Sequence, residues 1–134
     1  MQIQPYLSFN GRCEEAIEFY KKSLGAQVEA LMRFKENPQP EYNPPGSDNK
    51  VMHACLRIGE STLMASDGAC TGGTKFEGIT LSVQAATVPE AELLFAALAE
   101  GGKVTMPMTE TFFSPRFGML EDKFGVAWMV VVAK

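Results

Sequence analysis

The chain repeats itself. YLSF at 6–9 lies against TLSV at 80–83, EEAIEFY at 14–20 against PEAELLF at 89–95, and LGAQV at 24–28 against EGGKV at 100–104. Each half then closes on a hairpin pattern, HACLRIGESTLMA in the first and FGMLEDKFGVAWMV in the second. The order strand, helix, strand, strand, strand therefore occurs twice. One such module leaves a sheet face bare, so two must pair, within one chain or between chains. The reading is an α+β protein, one domain of two tandem βαβββ modules at 1–67 and 78–134, joined by a linker at 68–77. The mixed sheet would be concave, with a groove on the face opposite the helices.

Local patterns support each element. Ile3, Pro5, Leu7 and Phe9 alternate with Gln4, Tyr6 and Ser8, the period of a half-buried strand. Residues 13–24 place Ala16, Ile17, Tyr20 and Leu24 at helical spacing, with acids in the first turn, lysines in the last and Gly25 as the stop. A strand is expected at 27–34. Residues 35–49 hold four of the eight prolines and read as a long surface loop, either a lid or a tolerated insertion. At 51–58 the alternation puts Met52, Ala54, Leu56 and Ile58 under the helices and His53, Cys55 and Arg57 on the other face. A hairpin returns through 61–65. The Gly-rich stretch 66–76 has neither period and no GxGxxG or P-loop spacing. The second module follows with a strand at 79–83, a helix at 88–99, a strand at 103–106, and a hairpin of 117–120 and 126–132 across Asp122-Lys123-Phe124-Gly125.

Composition removes several function classes. A net charge of -4 with interspersed signs offers no basic patch for nucleic acid or anionic membranes. The start, MQIQPYLSF, has no basic head before a long apolar run, so the expected location is the cytoplasm. Three cysteines without CxxC spacing provide no disulfide framework and no zinc signature. A single histidine, His53, restricts any imidazole chemistry to that position.

The candidate ligand-binding residues are Tyr6, His53, Cys55, Arg57, Phe113, Arg116 and Trp128. Arg116 is a fixed cation among Phe112, Phe113 and Phe117 at a strand entrance, where a forked donor would hold an anionic or carbonyl-bearing ligand. The competing reading is a structural cation stacked on core aromatics. Trp128 sits mid-strand, where its ring would cover a half-buried surface. His53 is the one candidate for a catalytic base or donor; the competing reading is an imidazole satisfied by a neighbour. Several methionines at strand ends would line an adaptable apolar groove.

The stretches PYLSFNGRCEEAIEFYKKSLGA, MHACLRIGESTLMASD and DKFGVAWM resemble the PhnB-like branch of the vicinal oxygen chelate superfamily, which includes glyoxalase, bleomycin-resistance and extradiol dioxygenase proteins. The resemblance implies the glyoxalase/bleomycin-resistance fold and a homodimer. It implies four metal-ligand positions, at Gln4 or Pro5, near His53, at Gly78 and at Met129. Gly78 and Met129 are no hard-metal ligands, which leaves only Gln4 and His53 as weak metal candidates, below the usual three. No cofactor is therefore expected, although a divalent metal stays open. The first functional reading is a groove that binds a small, partly apolar molecule without a catalytic metal. The alternative is a metal-dependent lyase, transferase or dioxygenase using His53. A methyltransferase label carried by some members has no chemistry among these residues to support it.

Overall fold

A computed structural model describes residues 1–70 and 74–134. Its elements follow the repeated order: β1 Tyr6–Ser8, α1 Cys13–Leu24, β2 Gln27–Arg33, β3 Val51–Ile58, β4 Ser61–Ser66, β5 Thr80–Ala85, α2 Val88–Ala99, β6 Lys103–Thr109, β7 Phe117–Glu121 and β8 Ala127–Val132. Two compact units result, Met1–Thr74 and Lys75–Lys134. The boundary falls in the expected linker, of which residues 71–73 lie outside the described residues. Each unit carries its own four-stranded mixed sheet, ordered β1-β4-β3-β2 in the first and β5-β8-β7-β6 in the second. No helix among the described residues is long and apolar enough to cross a membrane.

In the first unit α1 buries Cys13, Ala16, Ile17, Phe19 and Tyr20. The sheet face carrying Leu7, Ala54, Leu56, Leu63 and Ala65 is buried with them. Burial of each large side chain contributes about 1.5–3 kcal/mol. Gly25 ends the helix at φ 68°, where its missing Cβ avoids strain. β1 is shorter than the alternation from residue 3 implies, and Ile3 is exposed. Its parallel pairing with β4 starts only at Tyr6, opposite Met64, and an apolar residue without a ladder partner has no strand to join.

In the second unit α2 packs over β5, β6, β7 and β8. Its Phe95 closes directly on Gly118, where a Cβ would stand 2.8 Å from the ring and 2.7 Å from Met108 Sδ. β6 continues to Thr109, through Pro107 and past the expected end at residue 106. An edge strand tolerates proline because its outer N–H groups need no partner.

The pairing also shows where the repeat is out of step. Tyr6 stands opposite Met64 and Ser82 opposite Met129. Tyr6 therefore corresponds to Ser82, two residues beyond the match of YLSF to TLSV. A period of two cannot distinguish registers that differ by two. Both modules bulge after the same valine: Glu29 is the extra residue following Val28, and Thr105 the one following Val104.

Residues 34–50 are the expected surface loop, ordered by local contacts. Two 3-10 turns, Phe34–Glu36 and Pro40–Tyr42, occur in it. Phe34 and Ser47 are buried, and Phe34 N–H donates to Lys50 O at 3.1 Å. Arg33 ties its base to α1, with Nη2 2.6 Å from Glu14 Oε2 and Nη1 donating to Asn49 O at 2.7 Å.

Candidate functional site

β3 places the candidates of the first unit. Ala54 and Leu56 are wholly buried on the α1 side, which turns His53, Cys55 and Arg57 to the other face. His53 and Cys55 are partly exposed and Arg57 is exposed. Tyr6 joins His53 across the sheet: its Oη lies 2.9 Å from Nδ1, and the two rings are 5.6 Å apart. That bond occupies one ring nitrogen and leaves Nε2 for whatever meets the face. The tautomer follows from which partner donates. Cys55 stands directly opposite Met64, and His53 opposite Met32.

Arg57 is engaged locally. Its Nε is 2.9 Å from Glu29 Oε1, and this hydrogen bond raises the guanidinium pKa further. Glu29 is the bulge residue, two positions from Gln27, which stands opposite Arg57.

The second unit corrects two expectations. Arg116 does not stand free at a groove mouth. Its Nε donates to Glu92 Oε1 at 2.6 Å, an ion pair with α2 on the helix side of the sheet. Sequence proximity could not reveal it, because the acid is 24 residues away. Trp128 does not cover a half-buried surface either. It is 4% exposed on the α2 side, and its Nε1–H donates to the buried Asp122 Oδ2 at 2.9 Å. Asp122 Oδ1 also accepts from Phe124 N and Val126 N, so one carboxylate shapes the turn and satisfies the indole. Phe113 is exposed, edge-on to Phe112 and to the buried Phe117.

Two of the expected metal positions, Gly78 and Met129, carry no hard donor. Gln4 precedes β1, and Gly78 precedes β5 with a left-handed φ of 72°. Met64 and Met129 occupy corresponding places, opposite Cys55 and Met119 respectively. The first-module counterpart of Met129 is thus Met64, and His53 lies on the neighbouring strand. Among the described residues no three of His, Cys, Asp and Glu come together. Thioethers at both corresponding positions do not fit a hard divalent ion.

One supporting residue escaped the sequence reading. Asp67, in the Gly-rich stretch 66–76 that shows neither period, is 1% exposed. Its Oδ1 accepts from Gly11 N at 2.7 Å and Cys13 N at 2.8 Å, and its Oδ2 from Val51 N at 2.8 Å. It therefore caps α1 from outside the helix and fixes the start of β3, two residues before His53. Cys13, beside it, is pushed up to about 12 by burial and then by the Asp67 charge, which keeps it a protonated, inert thiol.

The family model described as 3-demethylubiquinone-9 3-methyltransferase matches residues 1–131. Protein YjdN of Escherichia coli (strain K12) is 39% identical over 142 residues, covering 100% of this chain and 97% of the relative. The crystal structure of protein PA1353 from Pseudomonas aeruginosa is 44% identical with a TM-score of 0.88, covering 99% of this chain and 98% of that one. The PhnB protein from Bacillus cereus is 30% identical with a TM-score of 0.83, covering 99% and 100%. A glyoxylase/bleomycin resistance protein/dioxygenase domain from Frankia sp. EAN1pec, 17% identical with a TM-score of 0.68, shares the fold.

Proposed function

Because the chain belongs to the PhnB-like branch of the vicinal oxygen chelate superfamily, we propose that it binds a small, partly apolar molecule against the β3 face. The observation that carries this reading is the Tyr6–His53 pair, a partly exposed imidazole whose Nδ1 lies 2.9 Å from Tyr6 Oη. Around it the face presents Cys55, Met64 and Met32, apolar and polarisable groups that adapt to a ligand's shape. His53 Nε2 would make the one directional hydrogen bond, and the sulfur side chains would supply contact area. No catalytic divalent metal takes part in this reading, since Gly78 and Met129 supply no hard donor at two of the four positions. A cytoplasmic homodimer belongs to the same reading: the sheet face opposite each helix needs a cover, and the two sheets end on the edges β1, β2, β5 and β6. Methyl transfer, named in the family description, forms no part of this reading.

The test is native mass spectrometry of the protein as purified from its own cells, followed by titration of the recovered compound. Loss of roughly tenfold in affinity or more is expected in His53→Ala, with a smaller loss in Tyr6→Phe. Stoichiometric Zn, Ni, Mn or Fe in elemental analysis, with activity that it restores, would instead favour the enzyme reading through His53.

A further inference from the structure

The β3 face also carries a donor set of a different class. Met32 is the direct ladder partner of His53, and Met64 that of Cys55. His53 and Cys55 are two residues apart on one strand, so all four side chains leave the same face. Direct partners of this kind have Cβ atoms about 4.5–5.5 Å apart and diagonal ones about 7–8 Å, within reach of a flexible methionine. The four groups are two thioethers, a thiol and an imidazole. Ala54, between His53 and Cys55, and Leu56, directly after Cys55, are buried on the other face and hold β3 in this orientation.

A hard ion finds nothing here, but thiolate and thioether ligands select soft ions such as Cu(I). The imidazole is already oriented: Nδ1 is engaged by Tyr6 Oη at 2.9 Å. A ligating histidine typically donates its second ring N–H to a fixed partner in this way, which sets the tautomer and aims the free nitrogen. We propose that the Met32–His53–Cys55–Met64 face binds one soft monovalent cation of the Cu(I) or Ag(I) class. The ligands are His53 Nε2, Cys55 Sγ and one or both methionine Sδ atoms, with Nδ1–H donating to Tyr6 Oη. The thiolate is the ligating form, so uptake releases the thiol proton, and the metal's oxidation state does not change. Tyr6 is a positioning residue in this site. The other two thiols do not belong to it: Cys13 is buried at the start of α1, and Cys70 lies beyond β4 with Sγ directed at Gly68 O. The inference does not depend on the small-molecule reading.

The experiment uses the whole chain without oxygen, with Cu(I) set against a chromophoric chelator and Ag(I) counted by native mass spectrometry. One ion per chain is expected. Cys55→Ser should weaken binding by roughly a hundredfold, and Met32→Leu with Met64→Leu by roughly tenfold or more, since Leu keeps the volume and removes the sulfur. Tyr6→Phe should weaken it several-fold and shift its pH dependence. Cys70→Ser should bind as the parent does, and Zn(II) should not displace the ion. The proposal is overturned if Cys55→Ser still binds like the parent, if the double methionine variant is unaffected, or if Cys70→Ser abolishes binding. Zn(II) competing on equal terms would overturn it as well.

Discussion

Arg116 reaches past its own aromatic neighbours to Glu92 on α2. A partly exposed pair of this kind contributes about 0–1 kcal/mol after solvent screening. Arg116→Lys is therefore expected to change stability by no more than about 1 kcal/mol in chemical denaturation. It should leave the affinity for a recovered ligand untouched, and a tenfold loss would return Arg116 to the binding site. Cys13 makes a second prediction at this scale. Its folded pKa is raised from 9.0 to about 12, so the folded state holds the proton more tightly than the unfolded one. Its contribution is fully present below pH 9.0 and is lost as pH rises towards about 12, the window in which unfolding should become easier. Iodoacetamide at pH 8 should label the native chain at Cys55 and Cys70 before Cys13, with Cys13 reacting on unfolding. Equal labelling rates for all three would contradict the buried placement.

The two helices match in length and differ in how they begin. α2 is capped by its own sequence, with Thr87 Oγ1 accepting from Glu90 N and Glu90 Oε2 accepting from Ala86 N. α1 has no side-chain cap at Arg12 and borrows Asp67 from beyond β4. Thr87→Ala should accordingly cost about 1 kcal/mol, the usual loss of an exposed cap. Asp67→Ala should cost about 3 kcal/mol or more, because it removes a charged acceptor from three N–H groups, two of them in buried bonds. Urea denaturation of the two variants gives the comparison, and a smaller effect at Asp67 would refute its role as the clamp between α1 and β3. The difference also marks what was legible. The Thr-Val-Pro-Glu start of α2 announces itself locally, whereas Asp67 sits in a stretch with no period, where nothing nearby reveals what it will accept from.

For the whole molecule, four sheet edges, β1, β2, β5 and β6, end the two ladders. β6 keeps Val104 and Met106 exposed. Light scattering at micromolar concentration should return twice the chain mass of 14.6 kDa; the monomer mass would remove the dimer from the proposed function. What the sequence alone determined is what each segment can settle with its own neighbours. That includes both helices to the residue, the span and facing of β3, the Asp-Lys-Phe-Gly turn and the repeat itself, since periodicity, caps and glycines act within a few residues. Only the tertiary structure decided the two-residue register of β1 against β5, the Asp67 clamp, the Glu92 partner of Arg116 and the burial of Trp128 against Asp122. Each of these depends on which strand or helix arrives opposite. A period of two and a short reach along the chain carry no information about a partner tens of residues away.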